Sequence, residues 1–148
     1  TIIEEGGEFA HGFTYSGHPA ACAVALKNIE LIKKENILDS VKHSIAPYLR
    51  DKWLSLGDHP IVGEARIKGL MGAIELTNDK LKRSRFPSDF NTGSLCRDIS
   101  IKNGLVMRAV GDSMIIAPPL VINHEEIDEL IDKARTTLDE TQEAVQKL

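Results

Sequence analysis

The sequence predicts an α+β protein: a small antiparallel or mixed sheet with helices on one face. Three observations lead there. Apolar residues recur at helical spacing near both ends of the chain, over about Pro19 to Lys34 and again after Asn123. Between them, residues 61–77 and 105–117 form short extended stretches interrupted by Gly69, Gly72 and Gly111. The chain has 148 residues, 42% hydrophobic and 27% charged, which suits one globular unit with a real core.

Taken in order, residues 1–18 read as a loop. Its first eight residues are acidic and lack the pattern of a secretory signal. A helix follows from Pro19 to Lys34, with Val24, Ala25, Ile29 and Ile32 offered as a buried stripe. Cys22 in that helix reads as a small core residue. Glu35-Asn36 marks a break. Val41, Ile45, Leu49 and Trp53 are spaced four apart on a second helical stretch, in which Pro47 forces a kink or a fresh start. Gly57-Asp58-His59-Pro60 ends the helical region.

Two extended pieces are expected between Ile61 and Thr77, joined by a tight turn or bulge at the glycines. Asn78 to Pro87 is polar and basic, as a surface loop would be. Asn91 to Lys102 suits a helix of about three turns, closed by Asn103-Gly104. Leu105–Val110 and Met114–Ala117 predict a hairpin turning at Gly111-Asp112 and stopped by Pro118-Pro119. Asn123 with Glu126 three residues on predicts a capping box opening the last helix. Ile127, Leu130, Ile131, Ala134 and Leu138 mark its buried face.

Composition narrows the function classes. Lys and Arg number 18 against 22 Asp and Glu, a net charge of -4, so there is no basic footprint for nucleic acid or an anionic membrane. No apolar run reaches the length of a membrane span. Cys22 and Cys96 lie far apart with no CxxC spacing, and the five histidines form no pair at helical ligand spacing. A metal site and a disulfide are therefore not expected, and a cytoplasmic location is. The first Met is Met71, which predicts a processed chain or part of a longer one.

The most informative segment is His11-Gly12-Phe13-Thr14-Tyr15-Ser16-Gly17-His18-Pro19. It gathers hydroxyls and glycines at a proline-started helix, where exposed N–H groups and the macrodipole favour an anion. A capped, solvated helix entry with no ligand explains the same residues. Arg108 stands in Leu105-Val106-Met107-Arg108-Ala109-Val110, apolar on both sides, where a guanidinium needs a carboxylate. That carboxylate is either a ligand's or a structural partner such as Asp112.

The segment resembles the phosphate-contacting segment of class III aminotransferases, which depend on pyridoxal 5'-phosphate. The likeness is nearest the ω-transaminase, or amine–pyruvate, branch. It continues through Val62-Gly63-Glu64-Ala65-Arg66-Ile67-Lys68-Gly69-Leu70-Met71, Phe86-Pro87 and Leu95-Cys96-Arg97-Asp98. It returns in Val106-Met107-Arg108-Ala109 and Ala117-Pro118-Pro119-Leu120. The order and spacing cover nearly the whole chain and correspond to the C-terminal portion of such an enzyme.

The resemblance implies the small C-terminal domain of fold-type I pyridoxal-phosphate enzymes. Residues 1–18 would be the phosphate-contacting loop, 19–57 a helical linker from the large domain, and 58–148 the small α+β domain. Thr14 would donate to the cofactor phosphate of the neighbouring subunit, with the Phe13 backbone N–H beside it. That role implies a homodimer or tetramer of the full-length chain. Arg108 would bind the substrate carboxylate and swing aside for amines without one.

The Schiff-base lysine of the family lies upstream of the threonine segment. Lys68-Gly69 therefore only imitates a cofactor-bearing pair, and no catalytic residue is assigned within these 148 positions. Glu75 and Asp98 read as structural or solvated charges, and Tyr15 and His18 as packed or capping groups near the cofactor entrance.

The activity implied is transfer of an amino group from an ω-amino acid or amine to a keto acid such as pyruvate, with the 148 residues inactive alone. The competing expectation is a non-catalytic α+β module for assembly or binding. A class III mutase or decarboxylase is a third, disfavoured by the setting of Arg108.

Overall fold

The computed structural model describes residues 2–7 and 12–147. It divides into two compact units, residues 1–36 and residues 37–148. His11, the first residue of the hydroxyl- and glycine-rich segment, lies outside the described residues.

The first unit holds α1 (Ile2–Gly6) and α2 (Pro19–Lys34). Part of the expected loop is thus helical: Glu4 and Glu5 suit the positive end of a short helix, and Gly7 ends it at φ +76°. α2 has the expected bounds, but it buries no residue. Val24 is 69% exposed and Ile29 50%, which corrects the expected buried stripe. Cys22 is likewise exposed rather than core. The physical reason is that one long helix and a short one supply no second layer to pack against.

The second unit opens with α3 (Ile37–Ser40), a π-helical segment (Val41–Ile45) and α4 (Ala46–Ser55). The π segment sits just before Pro47. The Ala46 N–H donates to the Val41 carbonyl, five residues back, and Pro47 then starts the next helix. A proline cannot donate and would clash with the carbonyl four residues earlier, so the widened turn absorbs it. Ile45, Leu49 and Trp53 are buried as their spacing predicts. This packing places residues 37–57 with the sheet and leaves 19–36 in the other unit.

A 3₁₀ turn (Leu56–Asp58) leads to β1 (Val62–Lys68) and β2 (Met71–Leu76). Lys68 pairs with Met71 across Gly69-Leu70, and Gly69 takes φ +59°, as the first position of a primed hairpin turn requires. The bulge lies at the other end, at Gly63, where Val62 pairs with Leu76 but Glu64 with Glu75. The basic loop after β2 carries one isolated bridge, Asp79 to Ser84.

α5 (Thr92–Lys102) has the expected C-terminal Asn103-Gly104, with Gly104 at φ +73°. β3 is shorter than expected, Arg108–Val110 only. Leu105 and Met107 turn their N–H groups to α5 instead, bonding the Ser100 carbonyl and Ser100 Oγ. β4 (Ser113–Ile116) completes the hairpin. α6 (His124–Val145) carries the full capping box: Asn123 Oδ1 accepts from Glu126 N and Glu126 Oε2 from Asn123 N, both at 2.9 Å.

The four strands form an antiparallel sheet in the order β1-β2-β4-β3. Cross-strand partners share a face. Ala65, Ile74, Met114 and Ala109 form one row of the covered face, with Gly72 and Ile116 beside it. This face joins Leu49, Trp53, Cys96, Ile127, Ala134 and Leu138 in one core. Gly72 is tight against the Trp53 indole, whose Nε1 donates to the Ala73 carbonyl. The second unit is therefore α+β, with a small antiparallel sheet whose core side carries α4, α5 and α6.

Candidate functional site

In the first unit, the segment after residue 11 makes a tight turn. Ser16 N–H donates to the Phe13 carbonyl and Phe13 N–H donates to Ser16 Oγ, both at 2.9 Å. Gly17 takes φ +75°, which lets the chain reverse into α2. His18 caps that helix: its Nδ1 accepts from Ala21 N–H at 3.4 Å, and its ring lies 5.9 Å from that of Tyr15. Pro19, at the first helical position, has no N–H to satisfy.

Against this background Thr14 is exposed, and its hydroxyl has no hydrogen-bond partner among the described residues. The turn thus consumes the Phe13 amide and leaves the Thr14 hydroxyl as a donor facing solvent. A phosphate is a chemically suitable acceptor for a free hydroxyl next to a helix start. The Phe13 amide would first have to leave Ser16.

In the second unit, Arg108 occupies the sheet face away from the helices. Its row runs Arg108, Ile115, Ala73 and Arg66 across β3, β4, β2 and β1. The expectation that apolar surroundings enclose Arg108 is corrected. Its side chain is exposed, because its neighbours Met107 and Ala109 turn to the covered face while it turns away. No ion pair or hydrogen bond holds the guanidinium among the described residues.

Asp112, the nearest acid in sequence, is used elsewhere. Its Oδ1 accepts from Gly93 N–H at 3.1 Å. Arg66, three strand spacings or roughly 14 Å across the sheet, is by contrast neutralised. Its Nη1 lies 3.1 Å from Glu75 Oε2 and 3.3 Å from Glu64 Oε2. Two arginines on one face are thus in opposite states, one paired twice and one free.

The remaining groups have structural roles. Glu75 serves Arg66, and Asp98 pairs with Arg97 at 2.8 Å. Lys68 is exposed, and no lysine is buried among the described residues. No cluster of His, Cys, Asp or Glu suited to a metal occurs among them. None of their helices is long and apolar enough to cross a membrane.

One polar cluster escaped the sequence reading. Tyr48 Oη donates to Asp128 at 2.8 Å, and Lys52 Nζ lies 2.8 Å from the same carboxylate. His124 stacks on Tyr48 at 4.4 Å and meets Ser44 Oγ at 3.3 Å. The contact with Lys52, then that with Tyr48, holds the Asp128 carboxyl below its usual range, and the same carboxylate raises Lys52. The signal was present as two i,i+4 pairs, Tyr48/Lys52 and His124/Asp128, on helices not known to be adjacent. Asp128 points to Tyr48 and Lys52 rather than orienting His124, so Ser44, His124 and Asp128 do not form a nucleophilic triad.

The class-III aminotransferase family model matches residues 1–138. Putrescine–pyruvate aminotransferase of Pseudomonas aeruginosa is 56% identical over 144 residues, covering 97% of this chain and 31% of that protein. The mitochondrial gamma aminobutyrate transaminase 1 of Solanum lycopersicum is 41% identical over 142 residues, covering 96% of this chain and 27% of its own. The chain therefore spans about a third or less of these relatives' lengths.

Among solved structures, a thermostable (S)-enantioselective omega-transaminase from Thermomicrobium roseum superposes with a TM-score of 0.82. It is 37% identical over 90% of this chain and 30% of that one. The PMP-bound form of an aminotransferase from Vibrio fluvialis gives 0.81 at 33% identity, over 94% of this chain and 30% of its own. None of these relatives is a non-catalytic binding module. Motif order, sheet architecture and a family match over residues 1–138 agree: this chain belongs to the class-III aminotransferases.

Proposed function

We propose that the protein transfers an amino group from an ω-amino acid or amine to a keto acid such as pyruvate, using pyridoxal 5'-phosphate. The observation that carries this reading is Arg108: a guanidinium on an exposed sheet face with no ion pair among the described residues, while the neighbouring Asp112 accepts from Gly93. Bound pyridoxal phosphate supplies an electron sink that acidifies the C–H bond beside the amine. This chain's residues bind and orient. The Thr14 hydroxyl donates to the phosphate of the cofactor in a neighbouring subunit, and the Phe13 amide joins it once released from Ser16. That role requires at least a dimer.

Arg108 takes the substrate carboxylate as a bidentate pair, fixing which end of the amino acid faces the cofactor. The same arginine serves amino donor and keto acceptor in turn, since both present a carboxylate. An amine without one leaves it free, and an exposed side chain can move aside. In this reading residues 1–18 are the cofactor-contacting loop, 19–57 a helical linker and 58–148 the small domain, with α3 and α4 packed onto it. The location is cytoplasmic.

The test is the donor half-reaction of the full-length protein, followed separately with gamma-aminobutyrate and with putrescine. Arg108→Ala is expected to lower kcat/KM for gamma-aminobutyrate about 30-fold, the loss of a charge-assisted pair worth ~2 kcal/mol. The putrescine reaction should change far less. Equal loss on both donors would sink the carboxylate role. Thr14→Ala should weaken cofactor binding about tenfold, read by reconstituting the apoprotein with increasing pyridoxal phosphate. Unchanged binding would remove Thr14 from the site.

A further inference from the structure

Arg108 rides on a strand with little to hold it. β3 is three residues long and lies at the sheet edge, with β4 as its one strand neighbour among the described residues. Val106 and Val110 on either side are exposed, 81% and 51%. A short edge strand of this kind frays unless something outside the sheet fixes it.

α5 does so at both ends. Upstream of Arg108, the buried Ser100 hydroxyl donates to the Leu105 carbonyl and accepts from Met107 N–H at 3.3 Å. Downstream, Asp112 Oδ1 accepts from Gly93 N–H at 3.1 Å, while the Asp112 carbonyl accepts from Leu76 N–H at 2.9 Å. Gly93 and Ser100 are seven residues apart, two helical turns, and so share one face of α5. The fit at Gly93 admits no side chain: an added Cβ would fall on the Gly111 carbonyl oxygen.

We propose that Asp112 and Ser100 are positioning residues, which splint the β3 strand to α5 and thereby aim Arg108 at the substrate carboxylate. This rests on the carboxylate role of Arg108 proposed above. Neither residue need touch substrate. Asp112 is not a rival partner in this structure: its Oδ1 accepts from the Gly93 amide, and no ion pair joins it to Arg108 among the described residues. Loss of either anchor lets the arginine wander, and a misplacement of about 1 Å is enough to cost binding and rate.

The experiment uses the full-length, cofactor-loaded enzyme and the donor half-reaction. Asp112→Ala and Ser100→Ala are each expected to raise KM about tenfold for gamma-aminobutyrate and within about threefold for putrescine. Asp112→Asn keeps an oxygen acceptor for Gly93 and should restore most of the gamma-aminobutyrate binding. On an Arg108→Ala background, Asp112→Ala should add no further discrimination between the two donors. Amide hydrogen exchange over residues 108–116 should quicken in Asp112→Ala, independently of turnover.

If Asp112→Ala does not fold, Ser100→Ala, which cuts the other anchor, poses the same question. Equal effects on both donors, or full additivity with Arg108→Ala, would overturn the positioning role. If Arg108→Ala itself fails to discriminate, the carboxylate reading falls and this inference with it. If Arg108→Ala discriminates and the Asp112 and Ser100 variants do not, the positioning inference alone is refuted.

Discussion

At the residue scale, the first turn of α5 carries an unusual group. Thr92 is 1% exposed and its Oγ1 has no partner among the described residues. A buried hydroxyl without a partner costs free energy that an isosteric methyl avoids. Thr92→Val is therefore expected to leave stability unchanged or raise it by about 1 kcal/mol. A drop in the denaturation midpoint would refute this.

Cys96, on the same helix, is fully buried, and that burial pushes its thiol from an ordinary 9.0 up to about 11. A hydrogen bond with Thr141 pulls the other way without offsetting it. The folded protein keeps this proton while the unfolded chain begins to lose it near pH 9. Stability from this group is thus complete below pH 9 and falls as pH rises toward 11. By pH 10.5 the loss should be ~2 kcal/mol greater in wild type than in Cys96→Ala, by urea titration at pH 8 and 10.5. The same burial predicts that native Cys96 resists thiol reagents at pH 8.

At the scale of elements, the contact of α4 with β2 sets how closely helix and sheet approach. A Cβ at Gly72 would lie 2.9 Å from both Cε2 and Nε1 of Trp53 and 3.0 Å from Ile116 Cγ1. The indole is rigid, fully buried and tied to the Ala73 carbonyl at 3.3 Å, so it cannot yield cheaply. Gly72→Ala should destabilise the protein by about 1–3 kcal/mol through overpacking, measured by chemical denaturation. Fluorescence from Trp53 should report the displaced indole. No change in either would mean that α4 is free to shift.

At the scale of the whole molecule, the two sheet faces differ in kind. One is the core. The other carries Arg108 free, Arg66 doubly paired, and Met71, Val106 and Val110 exposed or nearly so. The family resemblance implies a Schiff-base lysine upstream of the threonine segment. A protein consisting of these 148 residues alone, supplied with pyridoxal phosphate, putrescine and pyruvate, is on that ground expected to form no alanine. Turnover above the cofactor-only background would show that the chain holds a catalytic lysine of its own.

Local grammar accounts for what the sequence by itself determined. Pro19 and Lys34 bound α2, the Asn123–Glu126 capping box opens α6, and Gly69 and Gly111 turn the two hairpins. Each of these depends on residues within a few positions of one another. So does the family resemblance, which is a string of short motifs in order. The tertiary structure decided matters that depend on distant partners. Val24 and Ile29 have the spacing of a buried stripe, yet burial needs a second layer that periodicity cannot supply. Arg108 and Asp112 look like neighbours four residues apart. Which way each side chain turns follows from strand register and from Gly93, nineteen residues before Asp112, whose amide donates to the Asp112 carboxylate.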